Sequence, residues 1–199
     1  DVQFLSDPYR SVALLDMFAY YILEAGLIDQ DFIRKRCENW EEFEQGLRSL
    51  DLDELERIHG VPREKVKAAA IEYASAENAM AFHGLGVTEH SHGSKTVRTI
   101  ADIAMMTGNI GRPGVGVCPL RGQNNVQGAA DMGCQPHQGA GYLQVNDAAN
   151  HKLYEEFYGA HISNEIGWKI PQMYDAALAG KLKALWIMGE DLVQTDPNT

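Results

Sequence analysis

Between Gly108 and Gly141 only Arg112, Arg121 and Asp131 carry charge. An arginine in so neutral a setting offers a planar, permanently charged fork that pairs with a small carboxylate or a phosphate. An ordinary surface arginine is the other reading of Arg121. Close behind it comes an amide run, Gln123, Asn124, Asn125 and Gln127, whose donors and acceptors together suit the edge of a neutral heterocycle. Near the end of the chain stand Glu190, Asp191 and Asp196. A carboxylate can accept the paired N–H donors of guanine N1 and N2, which adenine lacks. Simple solvated turn residues are the competing reading of these three.

Three glycine-bearing turns accompany these groups: Gly84-Leu85-Gly86, Arg121-Gly122-Gln123-Asn124 and Gly189-Glu190-Asp191. In an open α/β sheet such turns gather at the carboxyl ends of the strands, where ligands bind. Backbone N–H groups there can hold a pyrophosphate. None is a phosphate-binding loop of the G-x-x-x-x-G-K-[ST] type, which disfavours a GTP-binding switch. No G-x-G-x-x-G occurs either, so ordinary NAD binding is unsupported.

Other chemistries find less support. His90 and His92 are two apart and would face different sides of a helix, and no histidine is expected to share a helix face with a carboxylate at i+4, so no metal site is expected. His83 reads as a strand residue, and His137 lies in the glycine-rich stretch. Cys37, Cys118 and Cys134 are odd in number and contain no C-x-x-C pair, which suggests reduced thiols rather than disulfides or zinc. No Ser-His-Asp or Cys-His constellation is visible. With 17 Lys and Arg against 28 Asp and Glu, the net charge of −11 repels polyanions such as nucleic acid. No apolar run approaches the roughly 18 to 20 residues of a membrane span.

The elements that must position these groups follow from periodicity. Residues 9 to 78 read as helical. Val12, Leu14, Leu15, Met17, Phe18, Tyr21, Ile22 and Leu23 form an apolar stripe ending at Gly26. Asp29 caps a second helix, Trp40, Phe43 and Leu47 share a face, and Pro62 opens the last helix at a first-turn position. The acidic residues Glu38, Glu41, Glu42, Glu44, Asp51, Asp53, Glu54 and Glu56 read as a solvated face. Residues 79–83 form a buried strand, and Ser91 or Ser94 caps a helix that ends near Gly108, giving half of a parallel α/β unit. Ile110, Val115, Val117, Leu120, Val126 and Met132 are spaced to anchor the glycine-rich loop on a core. A second helix over 172–178 precedes a second buried strand over 181–188. Thr195-Asp196-Pro197 then has the form of a helix start. No targeting segment is visible, and the chain reads as a piece of a larger protein.

Four motifs in order carry a family resemblance: Gly84-Leu85-Gly86-Val87-Thr88-Glu89-His90, Thr107-Gly108-Asn109-Ile110-Gly111-Arg112-Pro113-Gly114, Arg121-Gly122-Gln123-Asn124-Asn125-Val126-Gln127-Gly128 with Asp131-Met132-Gly133, and Met188-Gly189-Glu190-Asp191 to Thr195-Asp196. The sequence resembles the central part of the catalytic subunits of formate dehydrogenases, in the molybdopterin oxidoreductase (dimethyl sulfoxide reductase) family. The resemblance implies an α/β fold, a Rossmann-like parallel sheet flanked by helices with a helical N-terminal part. It divides the chain into a helical segment, 1–77, and a segment over 78–199 that binds molybdopterin guanine dinucleotide and contains a long glycine-rich loop, 108–145.

It further implies that this dinucleotide, with molybdenum or tungsten, is held by Leu85, Gly86, Thr88, Glu89, Gly122 and Asn124, and at its guanosine end by Gly189, Glu190, Asp191, Thr195 and Asp196. Arg121 corresponds to the arginine that orients formate, with Gln123 beside it, for two-electron oxidation to carbon dioxide. The metal's own ligand and the [4Fe-4S] cluster would come from other parts of the polypeptide, and electron-transfer subunits and a cytoplasmic setting would complete the system. The isolated chain is expected to be inactive. An oxyanion reductase of the same family, and a noncatalytic scaffold that kept the fold, are the alternatives.

Overall fold

The computed structural model describes residues 10–89 and 91–196. His90 and the helix start expected at Pro197 lie outside them. Two compact units result, Asp1–Asn124 and Asn125–Thr199; the expected division between segments 1–77 and 78–199 falls inside the first.

In the first unit five helices come first: α1 (Ser11–Glu24), α2 (Gln30–Arg36), α3 (Trp40–Arg48), α4 (Leu52–His59) and α5 (Arg63–Ser75). The stripe on α1 makes it the centre of the core. Met17, Ile22 and Leu23 pack with Ile33, Leu47, Val66, Ala70, Ile103 and Met106. Asp29 caps α2 by accepting from the Phe32 N–H at 2.8 Å, and Asp51 caps α4 through the N–H groups of Asp53 and Glu54. Pro62 is the N-cap of α5 rather than a first-turn residue. Most of the acidic groups are solvent-facing as expected, and several pair locally with arginines, as Glu44 does with Arg48 and Glu56 with Arg63. His59 is buried, and its Nδ1 accepts from the Val61 N–H at 3.0 Å.

The chain then forms β1 (Met80–His83), a one-turn helix α6 (Leu85–Thr88), the long helix α7 (Gly93–Met106) and β2 (Gly116–Pro119). The two strands pair in parallel, Met80 opposite Gly116 and His83 opposite Pro119, so α7 is the crossover of a β-α-β unit. The expected α/β class is therefore present, with a parallel sheet that is two-stranded among the described residues. The N-cap of α7 is His92, without a side-chain cap bond, in place of Ser91 or Ser94. Close packing explains the start instead: a Cβ on Gly93 would stand 2.2 Å from the carbonyl oxygen of Thr88, so only glycine fits.

The Thr107-Gly108-Asn109 motif is a clasp at the start of the sheet. Gly108 is left-handed (φ +66°) and turns the chain out of α7. Asn109, 1% exposed, then accepts from the Ala79 N–H at 3.2 Å and donates to the Thr107 hydroxyl at 3.0 Å. Arg112 donates to the carbonyls of Gly108 and Glu77 and to the side chains of Asn109 and Asn78. The segments entering β1 and β2 are thereby tied together.

Two expectations are corrected by the strand pairing. Residues 116–119, expected inside an irregular loop, are the second strand. Residues 181–188 form no strand; Leu185, Trp186, Ile187 and Met188 are exposed, Trp186 by 89%. An apolar run becomes a strand only where a neighbour accepts its ladder, and among the described residues none pairs with it. Leu120 and Met132, expected as loop anchors, are also exposed, at 56% and 74%.

The second unit contains α8 (Val126–Asp131), a 3-10 turn (Ala140–Tyr142), α9 (Ala148–Tyr158), α10 (Ile170–Leu178) and a one-turn α11 (Leu192–Thr195). Asn125 is left-handed (φ +55°) and caps α8 through the Gly128 N–H at 3.2 Å. Thr195 is the last residue of α11, with Asp196 after it in an extended conformation.

Candidate cofactor and substrate site

Parallel pairing gives β1 and β2 a common carboxyl end, and the ladder runs one step past it: the Leu120 N–H donates to the His83 carbonyl at 2.7 Å. The chain leaves β1 through Gly84-Leu85-Gly86 and leaves β2 through Leu120-Arg121-Gly122, side by side. A methyl on Gly122 would lie 3.6 Å from Leu85 Cδ1, an ordinary contact. The structure thus brings together Leu85, Gly86, Thr88 and Glu89 on one turn with Arg121, Gly122, Gln123 and Asn124 on the other, all solvent-facing.

The first of these turns is a single helical turn, closed by Val87 N–H to Gly84 O at 3.1 Å and Glu89 N–H to Leu85 O at 2.9 Å. A Cβ built on Gly84 or on Gly86 would meet nothing within 4 Å, so the surface beside Leu85 is an open cradle. Arg121 makes no hydrogen bond or ion pair with other described residues, which leaves its guanidinium available to an anion. His83, the last residue of β1, is 7% exposed and its Nδ1 has no hydrogen-bond partner among the described residues.

The remaining expected site residues belong to the second unit. Gly189 is left-handed (φ +69°) with open space at its Cβ position. Asp191 caps α11 with its backbone only: its carbonyl accepts from the N–H groups of Gln194 and Thr195 and from the Thr195 hydroxyl at 2.8 Å. Its carboxylate makes no cap bond. Asp196 is different. The Tyr174 hydroxyl, from α10, donates to its Oδ2. That bond, reinforced by the charges of Asp196 and Glu190, pushes the Tyr174 hydroxyl up to about 12. A carboxylate has further lone pairs, so Asp196 keeps accepting capacity.

One signal was present in the sequence and missed. His151 and Glu155 are an i, i+4 pair on α9, with Nε2 and Oε1 3.6 Å apart, contrary to the expectation that no such pair exists. His161 joins them at 2.5 Å from Glu155.

Comparison with known proteins decides the family. Residues 7–199 match the family model described as molybdopterin oxidoreductase. The chain belongs to the molybdopterin oxidoreductase family. It is 39% identical over 187 residues to formate dehydrogenase H of Escherichia coli, covering 94% of this chain and 26% of that protein. It is 40% identical over 192 residues to the F420-dependent formate dehydrogenase subunit alpha of Methanocaldococcus jannaschii, covering 96% and 28%. A third relative, the F420-dependent formate dehydrogenase 2 subunit alpha of Methanococcus maripaludis, is 39% identical over 189 residues, covering 95% and 28%. The chain spans about a quarter of the length of these relatives.

Membership of this molybdopterin oxidoreductase family implies a molybdopterin cofactor. The open glycine turns at the carboxyl end of the β1–β2 pair leave room for such a group. No described helix is long and apolar enough to cross a membrane.

Proposed function

We propose that this chain is the part of a molybdenum or tungsten formate dehydrogenase that binds molybdopterin guanine dinucleotide and orients formate. The observation that carries the reading is the meeting of the Leu85 and Arg121 turns at one end of a parallel strand pair. That is where an open α/β sheet binds ligands.

In this reading Leu85, Gly86, Thr88 and Glu89 lie along the pterin, with Gly122 and Asn124 on the adjoining turn. In the second unit Gly189, Glu190, Asp191, Thr195 and Asp196 take the guanosine end, the carboxylates accepting from its N1 and N2. The metal held by this cofactor supplies two-electron redox chemistry. Arg121 grips both formate oxygens with its fork, and the Gln123 amide donates to one of them. Bidentate pairing fixes the C–H bond in one direction, so that orientation is set before reaction. Formate then yields carbon dioxide, one proton and two electrons. A [4Fe-4S] cluster held elsewhere in the polypeptide would carry the electrons away, and the names of the F420-dependent relatives, each an alpha subunit, support the presence of further subunits.

The test is formate-dependent viologen reduction by the full-length protein, purified without oxygen. Turnover is expected. A preparation containing metal and pterin that reduces an oxyanion but does not oxidise formate would overturn the substrate assignment.

A further inference from the structure

The second unit holds a three-residue cluster that the reading above does not use. Helix α9 places His151 and Glu155 one turn apart on a single face. Gly159, left-handed at φ +64°, ends the helix and turns the chain back. This return brings His161 over the same face, its ring 6.1 Å from that of His151 and edge-on to it. Glu155 Oε1 lies 2.5 Å from His161 Nδ1 and 3.6 Å from His151 Nε2. One donor atom from each of the three lies within 4.8 Å of the others.

We propose that His151, Glu155 and His161 form a binding site for a divalent cation of the zinc class. Bonds of about 2.0–2.2 Å in a tetrahedral arrangement separate neighbouring donors by about 3.4 Å. The present spacings bracket that value, so small side-chain rotations suffice. Two imidazoles and a carboxylate are a ligand set of borderline softness. It suits zinc over calcium or magnesium, which prefer all-oxygen cages. With three protein donors and His161 on the outside, a fourth position stays open to water.

In the metal-free geometry hydrogen bonds hold the cluster together. The His161 hydrogen bond, aided by His151, holds the Glu155 carboxyl below the usual carboxylate range. His151 Nε2 donates to the Ile162 carbonyl at 2.9 Å. Ligation at His151 Nε2 would replace its bond to the Ile162 carbonyl, and ligation of His161 would replace its hydrogen bond to Glu155. The cation would fasten residues 160–169, which have no helix or strand of their own, onto α9. Its role is a staple on that segment, independent of formate chemistry.

The test is equilibrium dialysis of the full-length protein against zinc chloride, after metal removal, with bound zinc measured by mass spectrometry. The comparison set is His161→Ala and Glu155→Gln, with Lys152→Ala as a surface control. Circular dichroism verifies that each variant folds; His161 is largely exposed, so its removal leaves packing intact. We expect one more zinc in the unaltered protein and in the control than in either ligand variant, and an affinity at least tenfold weaker in those variants. Equal zinc binding by all four proteins would overturn the site.

Discussion

The backbone N–H of Leu120 donates to the carbonyl of His83 at 2.7 Å, one step past the last paired residues of the sheet. Arg121 therefore leaves from a fixed backbone point. If it grips formate, Arg121→Ala in the full-length protein should lower formate turnover far more than cofactor content. Loss of a bidentate charged contact is worth about 1.5–3 kcal/mol, or roughly 10- to 150-fold in kcat/KM. Steady-state kinetics beside a pterin assay reads both. Equal loss of the two quantities would make Arg121 a cofactor anchor.

Asp191 spends only its backbone on capping α11. Asp191→Ala should therefore leave the fold unchanged while reducing bound guanine dinucleotide. Nucleotide released by acid from the purified variant measures this. Full occupancy would remove Asp191 from the site.

Asn109 supplies the acceptor for the Ala79 N–H, and both residues are buried. Asn109→Ala strands that donor, an effect of about 1–3 kcal/mol, seen as a lower denaturation midpoint. Because Ala79 leads directly into β1, cofactor content should fall as well. An unchanged midpoint would show that the clasp does not support the strand pair.

Asp102 on α7 is half-buried, and its carboxyl is raised by that burial, with Arg98 opposing the rise. Asp16 and Cys37 feel its charge. A carboxyl raised in the fold favours the native state fully only below its unfolded value, near 3.8. That contribution is lost as pH rises through the folded value. Asp102→Asn should accordingly melt higher than the unaltered protein at pH 7, with the advantage shrinking on acidification. A lower melting temperature at pH 7 would mean that attraction to Arg98 outweighs desolvation.

Local signals were readable in the sequence where they are strong. The stripe on α1, the Asp29 cap and the glycine after α7 stand as expected; the strand ending at His83 forms where expected, but Met80 and Phe82 are exposed where a buried strand was expected. Strand β2 was hidden because Gly116 and Pro119 argue against a strand; its form comes from pairing with residues far back in the chain. The run at 181–188 fails for the opposite reason, having strand composition and no neighbour among the described residues. Gly93 starts α7 through a close approach to Thr88, which no capping pattern reveals. Motif order marked the two turns, and their gathering at strand ends was expected in general terms, but the contact between the Leu85 and Arg121 turns depends on β2, which the sequence did not reveal.

Met80 meets Gly116 across a separation of 36 positions, whereas α1 to α5 close through short connections. Long loops must lose their entropy before distant contacts return any stability. Strand pairing is thus among the late steps of folding, and the juxtaposition of Leu85 and Arg121 arrives with it. A nascent chain that has emerged only as far as α7 lacks β2 and so lacks the meeting of the two turns. On the proposed reading, that part of the cofactor cradle is complete only after β2 has paired.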